Sequence, residues 1–563
     1  MRRGRSRRSE ILPLLTLALV ALPYQSTPER PGRKPREQSE ELQRLVAFED
    51  QLSAALFTTR PWLAPVGDEA DLAPELGRII PVEHDAWVNE LRYLESTIDS
   101  IDEGNLPGAR GRDARWLASW VRQERILMST LKPALNNPWF YVENVRLSLA
   151  AAARPAASGI VTTVRIRNLA ERLKRVSGVW SEAEARLEDL SRPVCRRASD
   201  RAAELMRTIR EDYAPLGENL AESERQGFED VCKEAYRSTE QLRDWLHERA
   251  IVTAPLPRYL KAKHWKLLVE YATGWQIDLD DLRLMLLMEI SDRRAAVGKH
   301  AHTVEVPDAA LFPGRIETKT AEFANELAGR ARDKDLAIAP LPEFEVRARV
   351  SHGKTLDLPY WERPNLDRWR LVVTLPSPVA TEAQSLTRRD RLSAAARPSL
   401  AARYGPLGEA LLMRTALSSG SKSRIQMPNL MRRRAFGLYA LDWTLRTGVF
   451  ATRDERTRAL FERELLVEAA RLLAAVEMYQ GETDLEIAIA NFAAHTGVDR
   501  ETAAWEVHQT ALDPLHGCAF LIYLDTLEQE RAFAEEFDAT EAVRETLRLL
   551  LSHTSAPLRE LTE

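Results

Sequence analysis

The chain is short of cysteine, of long apolar runs and of any excess of one charge. Its 563 residues include 3 Cys, at Cys195, Cys232 and Cys518, too few and too widely spaced for a disulfide framework or a zinc knuckle. They leave open a single disulfide in an oxidising compartment, with no pairing favoured. Lys and Arg number 79 against 84 Asp and Glu, a net charge of −5 with both signs interspersed. That balance gives no electrostatic footprint for nucleic acid, so we expect no nucleic-acid partner.

The apolar stretch at the N-terminus is short. Arginine occupies positions 2, 3, 5, 7 and 8, and Ile11 to Pro23 then form an apolar region, so residues 1–27 have the pattern of an export signal. This region is shorter than the ~20 residues of a bilayer-spanning helix, and we expect no stable membrane span beyond the signal. The pattern predicts a periplasmic or extracellular protein, anchored if the signal is not cleaved. A cytoplasmic protein with an incidental basic, apolar start is the alternative.

Proline content and hydrophobic periodicity divide the rest of the chain. Residues 28–41 hold three prolines and almost no apolar side chain, which predicts a disordered spacer. In residues 42–300 apolar side chains recur with a period near 3.6, which predicts helices, and residues 381–563 are again helical. The region 42–563 is longer than a typical single domain, so its length alone would favour two or more units.

Between residues 301 and 380 the hydrophobic period changes to two. The alternating apolar residues are Phe344, Val346, Ala348 and Val350. They predict a half-buried strand, and a second strand follows from Trp369 to Leu375. We therefore predict a mainly α protein with a small antiparallel β-sheet. The C-terminal helices are predicted at Thr457–Met478, Asp484–Thr496, Arg500–Thr510 and Ala539–Ser552, with Asp499 as an N-cap.

Residues 401–443 have the layout of a metal-dependent hydrolase centre, with two predicted helices joined by a polar loop. Zincins place two His about one helical turn apart, with a Glu beside the first His and a third ligand on a later helix. Here the first block reads RYGPLGEA from Arg403 to Ala410, and the second reads RAFGLYA from Arg434 to Ala440. Glu409 is the one His, Cys, Asp or Glu side chain in the two blocks, and these are the usual zinc ligands.

These blocks resemble the domain of unknown function 885 family, bacterial zinc-peptidase-like proteins with the pattern HExxPGHH followed by EGWALYAE. In that alignment Arg403 stands at the first His and Tyr404 at the Glu. Glu409 and Ala410 stand at the His pair, and Arg434 at the Glu of the second block. Farther along, the family's RLVVDTGLH corresponds to residues 471–479 and its PGQAxxY to residues 514–520, which contain His516.

The resemblance implies a large helical zinc-peptidase-like fold with the small sheet beside a central cleft. The family would imply zinc, but its ligands and general base are replaced here, so we expect no metal, no cofactor and no catalytic residue. The expected function is that of an exported, non-catalytic relative that binds a peptide, a protein or an anionic ligand in the inherited cleft. The candidate ligand-binding residues are Arg403, Tyr404, Glu409, Arg434, Tyr439 and His516.

Several other interpretations stay open. Arg403 and Arg434 are expected to form a fork for a carboxylate, whereas Arg432 and Arg433 fit a solvated turn. Glu409 is expected to pair with a neighbouring Arg, because a buried charge without a metal needs a partner. The alternatives are a metallopeptidase that uses Glu409 with His516, a metal-free hydrolase built on Tyr404 and Glu409, and a structural subunit of an active relative.

Two short motifs are weak candidates. Ser419 and Lys422 match the S-x-x-K pattern of some serine hydrolases, but S-D-N and K-T-G do not follow in order, so a flexible loop is the simpler interpretation. His300 and His302 have a spacing that could chelate a surface metal, and exposed side chains are again the simpler interpretation.

Overall fold

The structure is a computed structural model of the 563-residue chain. It describes residues 35–60, 75–77, 81–154, 160–188, 190–252, 260–300, 312–350, 360–362, 368–375, 396–419, 424, 429–449, 455–481 and 483–554. The predicted export signal lies outside the described residues, as do Lys422 and His302. Among the described helices, none combines the length and the apolar composition needed to cross a membrane.

The N-terminal part of the described chain is helical. Its helices are α1 Pro35–Thr59, α2 Pro81–Asp99, α3 Ala109–Ile126, α4 Pro133–Asn136, α5 Pro138–Ala152, α6 Thr163–Lys174, α7 Val176–Arg186, α8 Arg192–Thr208 and α9 Glu222–Val252. Helix α1 begins inside the predicted spacer 28–41, so that prediction is wrong from residue 35 onwards. Proline fits the first helical position and the following Arg, Glu and Gln are good helix formers, which explains the earlier start.

These helices form two hydrophobic cores. Leu45, Trp87 and Leu117 belong to the core shared by α1, α2 and α3. Trp180 and Leu205 belong to the core shared by α5 to α9. Each core buries one face of several amphipathic helices, which is how a charge-rich helical sequence gains stability.

The region predicted as β, residues 301–380, is only partly sheet. Helix α12 Pro313–Asp333 occupies its first part, after α10 Ala262–Thr273 and α11 Leu279–His300. The described strands are β1 Glu343–Val350, β2 Tyr360–Glu362 and β3 Arg368–Leu375, in the order β1-β3-β2. The two long strands are where the sequence predicts them, but they pair parallel, with Phe344 opposite Trp369. The prediction of antiparallel pairing is therefore wrong for β1 and β3, and it holds only for β2 with β3.

The C-terminal part carries the largest core. Its helices are α13 Arg397–Tyr404, α14 Glu409–Ser418, α15 Leu430–Arg446, α16 Glu455–Gln480, α17 Leu485–Thr496, α18 Arg500–Leu512, α19 Ala519–Ala534 and α20 Ala539–Ser552. Helix α16 is buried almost all round, and it packs along α11. The mainly α prediction is confirmed. The side chain of Asp499 accepts a hydrogen bond from the Thr502 amide at 2.9 Å, as its predicted N-cap role requires.

Candidate functional site

Three glycines let backbones meet closely around the predicted site. A Cβ on Gly408 would stand 2.1 Å from the Arg403 carbonyl oxygen. A Cβ on Gly437 would stand 2.9 Å from that same oxygen, and one on Gly517 would stand 2.6 Å from the Leu472 amide nitrogen. Real Cβ atoms do not approach backbone atoms that closely, so only glycine fits. The glycines therefore bring the end of α13 close to α15, and the turn before α19 close to α16.

Arg403 ends helix α13 inside this packing. Its Nη1 donates to Glu464 Oε2 and its Nη2 to Glu468 Oε1, both at 2.8 Å. The Arg403 side chain is 7% exposed and that of Glu468 is 2% exposed. A guanidinium stays charged under ordinary conditions, and here two carboxylates from α16 neutralise it. Arg403 is thus bound internally and is not one arm of an open anion fork.

A second arginine extends the chain of ion pairs. Arg471 Nη1 lies 2.7 Å from Glu468 Oε1, so Glu468 links the two arginines. Arg471 also makes a bidentate pair with Glu506 of α18, through Nε and Nη2 at 2.7 Å each. Burial alone would raise the pKa of Glu468, but Arg471 and Arg403 outweigh burial and hold that pKa at about 2. Glu468 therefore stays ionised across the physiological range.

The chain of ion pairs ends at His516 and Arg434. His516 Nε2 lies 3.7 Å from Glu506 Oε2, which is too long for a hydrogen bond. Arg434 Nη1 lies 3.3 Å from His516 Nδ1. Burial lowers the pKa of His516, against the opposing effect of Glu506, so the ring is neutral near pH 7. We call this series of residues the ionic chain: Arg403, Glu464, Glu468, Arg471, Glu506, His516 and Arg434.

Glu409 has its own cationic neighbour. Its Oε2 lies 3.0 Å from Arg433 Nε, so the partner is the arginine that the sequence assigns to a solvated turn. The turn interpretation is wrong for Arg433, which is half-buried, and for Arg432, which is buried and donates through Nη2 to the Leu550 carbonyl. The expected pairing of Glu409 with a neighbouring arginine is present.

Tyr404 lies beside Arg403, whose guanidinium carbon is 5.3 Å from the centre of the phenol ring. Burial raises the pKa of Tyr404 to about 12, despite the opposing effect of Arg403. The phenol is therefore protonated at neutral pH and is no substitute for the carboxylate base of a zincin.

Tyr439 lies apart from the ionic chain. It is fully buried, and its hydroxyl donates to Glu530 Oε2 at 2.7 Å, where Arg446 binds the same carboxylate. Tyr439 follows Arg434 by five positions, so the two side chains lie on different faces of α15. The structure therefore brings together five of the six predicted site residues. Arg403, Arg434 and His516 belong to the ionic chain, Tyr404 packs on Arg403, and Glu409 pairs with Arg433. Tyr439 is not part of this group.

Sequence reasoning did not identify the three glutamates of the ionic chain, or Arg471, as site residues. Glu464, Glu468 and Arg471 lie on α16, and Glu506 lies on α18. The sequence did contain a signal for them, because charged residues within a helix that is apolar on all faces need buried partners.

Ser419, from the S-x-x-K pattern, donates a hydrogen bond from its hydroxyl to the Ala416 carbonyl at the end of α14. This contact is a local helix cap.

Zinc does not fit the residues at this site. The position of the family's first His holds a buried guanidinium, and Glu409 and His516 each contact an arginine. A set of donors interleaved with permanent cations repels a divalent ion. In the described part of the chain, no group of three or more His, Cys, Asp or Glu side chains is arranged to hold a metal ion.

Two solved structures have the same fold as the chain. One is a presumed lipoprotein of unknown function from Shewanella oneidensis, with 12% identity and a TM-score of 0.66, covering 92% of this chain and 98% of its own. The other is a presumed lipoprotein from Colwellia psychrerythraea, with 13% identity and a TM-score of 0.62, covering 94% and 97%. No family model and no curated protein matches the chain. At this identity the likeness shows the fold alone.

Proposed function

We propose that the chain is an exported, non-catalytic binding protein built on a zinc-peptidase-like fold of the domain of unknown function 885 type. Its cleft takes a peptide, a protein or an anionic ligand instead of hydrolysing a peptide bond. The observation that carries this proposal is the pair of contacts from Arg403 to Glu464 and Glu468, at 2.8 Å each. They put a neutralised, permanent cation where the family would put its first metal ligand.

The acid–base groups at the site also favour binding over catalysis. A general base needs a free lone pair or carboxylate within reach of the substrate. The Nδ1 lone pair of His516 faces the guanidinium of Arg434, and the carboxylate of Glu409 faces Arg433. Tyr404 keeps its proton at neutral pH because burial raises its pKa to about 12.

Export rests on the N-terminal pattern of five arginines followed by an apolar region. The names of the two similar structures agree with export, since both are described as lipoproteins. The first cysteine after this apolar region is Cys195. The proposal is export, with anchoring if the signal is not cleaved.

The test is metal content and peptidase activity of the purified chain after incubation with zinc. We expect less than ~0.1 zinc per chain and no cleavage of a casein peptide digest, followed by mass spectrometry. The matched variant carries Arg403→His, Tyr404→Glu, Ala410→His and Arg434→Glu, which restores the family's residues at these four positions and keeps Glu409. Circular dichroism would check that both proteins are folded.

About one zinc per native chain, with cleavage that a chelator abolishes, would overturn the proposal and favour the metallopeptidase alternative. Cleavage that resists the chelator would favour the metal-free hydrolase. A stoichiometric partner that co-purifies from the native source would favour the structural subunit.

A further inference from the structure

Arg434 differs from the other arginines around the ionic chain. Arg403 and Arg471 each contact two carboxylates, and Arg433 contacts Glu409. Arg434 contacts no carboxylate within the part of the chain that the structure describes, and its hydrogen bond runs to His516. It is therefore the one member of this arginine group whose charge is not directly paired.

His516 fixes the position of that guanidinium. A guanidinium can only donate hydrogen bonds, so Nδ1 of His516 must be the acceptor, and the proton of the neutral ring sits on Nε2. That Nε2–H faces Glu506 Oε2, which already accepts a hydrogen bond from Arg471 Nε. The His516 ring is 3% exposed, so it cannot swing away. The imidazole thus orients Arg434 without neutralising it.

The remaining donors of Arg434 reach solvent. A guanidinium has five N–H groups, and the contact with His516 uses one of those on Nη1. The Arg434 side chain is half-buried, and none of its nitrogens is among the described atoms that are both buried and unpaired. The Nε and Nη2 edge is therefore open, and this edge matches the two oxygens of a carboxylate.

The position of Arg434 on α15 agrees with this function. Arg434 precedes Gly437 by three residues, so both lie on the face of α15 that approaches Arg403 and Glu409. The neighbouring arginines cannot take the same function, because Arg432 is buried against Leu550 and Arg433 lies on Glu409.

We infer that Arg434 binds a carboxylate of the ligand through its Nε and Nη2 edge, with His516 as the positioning residue. This inference rests on the proposed function and names the chemical group that the cleft recognises. The carboxylate has two sources, the C-terminus of a peptide or an acidic side chain, and one set of probes separates them.

Three probes carry the same backbone: N-acetyl-Ala-Ala-Ala with a free C-terminus, its C-terminal amide, and N-acetyl-Ala-Asp-Ala-amide. Titration calorimetry on the full chain gives their affinities. We expect binding of at least one carboxylate peptide, and the stronger of the two identifies the source. Protection of Arg434 from phenylglyoxal by that peptide, mapped by mass spectrometry, would locate the contact.

The decisive variant is Arg434→Gln, for which we expect an affinity about 10- to 100-fold weaker, the effect of losing a charged hydrogen-bond pair. Arg434→Lys keeps the charge without the planar fork and should fall between the two. Arg458→Gln removes one exposed arginine of α16 and is the matched control for net charge, with no expected change.

Equal binding of the amide and the acids, or unchanged binding by Arg434→Gln, would overturn this inference and leave the proposed function standing. Absence of binding by all three peptides together with no protection of Arg434 would also overturn it. Cleavage of a probe would instead overturn the proposed function.

Discussion

Two ionic clusters among the described residues differ in their hydrogen bonding. The ionic chain combines three arginines with three glutamates, yet it leaves Glu468 Oε2, His516 Nε2 and the Arg403 Nε buried without a hydrogen-bond partner. We call the second cluster the clasp: Glu49, Arg110, Asp113, Arg424 and His553. No side-chain nitrogen or oxygen of the clasp is among the described atoms that are buried and unpaired.

The clasp joins distant parts of the chain through Asp113 of α3. Asp113 Oδ1 accepts from Arg424 Nε and from His553 Nε2, both at 2.8 Å, and Oδ2 accepts from Arg110 at 2.9 Å. Two acids balance two arginines, and His553 is neutral. A buried polar cluster with complete hydrogen bonding stabilises one arrangement of the fold, whereas each buried polar atom without a partner needs an explanation, such as a functional role.

Asp113→Asn should break the clasp and give the largest loss of stability. The substitution keeps the shape of the side chain, but it leaves Arg110 with Glu49 as its remaining acid and removes the carboxylate that Arg424 contacts. We expect the free energy of unfolding in urea to fall by about 3–5 kcal/mol, as when one partner of a buried ion pair is removed. Asp230→Asn, on the exposed surface of α9, is the control and should change stability by less than ~0.5 kcal/mol. An equal loss of unfolding free energy in the two variants would show that the clasp does not stabilise the fold.

Arg403→Met should destabilise the ionic chain by about 3 kcal/mol, because Glu468 loses one of its two cations. The double variant Arg403→Met, Glu468→Leu should regain at least about half of that loss, since the Arg471–Glu506 pair stays intact and Glu464 is partly exposed. Urea unfolding of the two single variants and the double variant measures this coupling. A double variant less stable than both single variants would mean that the stability of the fold depends on the ionic chain as much as on the clasp.

Mild acid should weaken the clasp. Burial lowers the pKa of His553 from 6.5 to about 4, although Asp113 opposes that effect. Between these two values the unfolded chain binds a proton that the folded chain excludes, so the free energy of unfolding falls as the pH falls from about 6.5 to 4. The contribution of His553 is at most about 3 kcal/mol.

The variant His553→Gln should flatten this pH dependence, because Gln can donate to Asp113 without titrating. The other histidines are unchanged in the variant, so the difference between the two pH profiles isolates His553. Urea unfolding at intervals between pH 7 and 4 provides both profiles. Parallel profiles would contradict a neutral, buried His553.

Tyr439→Phe should have the smallest effect, because Tyr439 belongs to neither cluster. Its hydroxyl donates to Glu530, and Arg446 still holds that carboxylate through both oxygens. We expect a loss of about 1 kcal/mol in the free energy of unfolding and no change in peptide binding. Tyr93→Phe, on the exposed face of α2, is the control. Weakened peptide binding by Tyr439→Phe would return Tyr439 to the ligand site.

The sequence predicts the C-terminal helices well because their ends carry local signals. Helix α20 has the predicted bounds Ala539–Ser552, and Asp538 caps its N-terminus. Helix α18 starts at the predicted Arg500 after the Asp499 cap. The pairing of β1 with β3 was not predictable in the same way, since alternation shows which face of a strand is buried but not the direction of its partner.

The partners in the site were the hardest part to predict. Three successive arginines, Arg432 to Arg434, point about 100° apart around α15, so sequence alone cannot say which one lies against His516. The carboxylates that neutralise Arg403 lie 61 and 65 residues farther along the chain. Only packing brings these residues together, so the sequence can place Arg403 at the candidate site but cannot identify the carboxylates that neutralise it.

The bond between Asp113 and His553 has a consequence for how the protein is made. The two residues are 440 positions apart, and His553 lies close to the C-terminus. At ~5–20 residues per second, a ribosome needs about 20–90 s to proceed from one to the other. Throughout that interval the carboxylate of Asp113 lacks one of its partners, so α3 cannot reach its final packing. His553 directly follows α20, so the hydrogen bonding of Asp113 on α3 is completed only after α20 has been made.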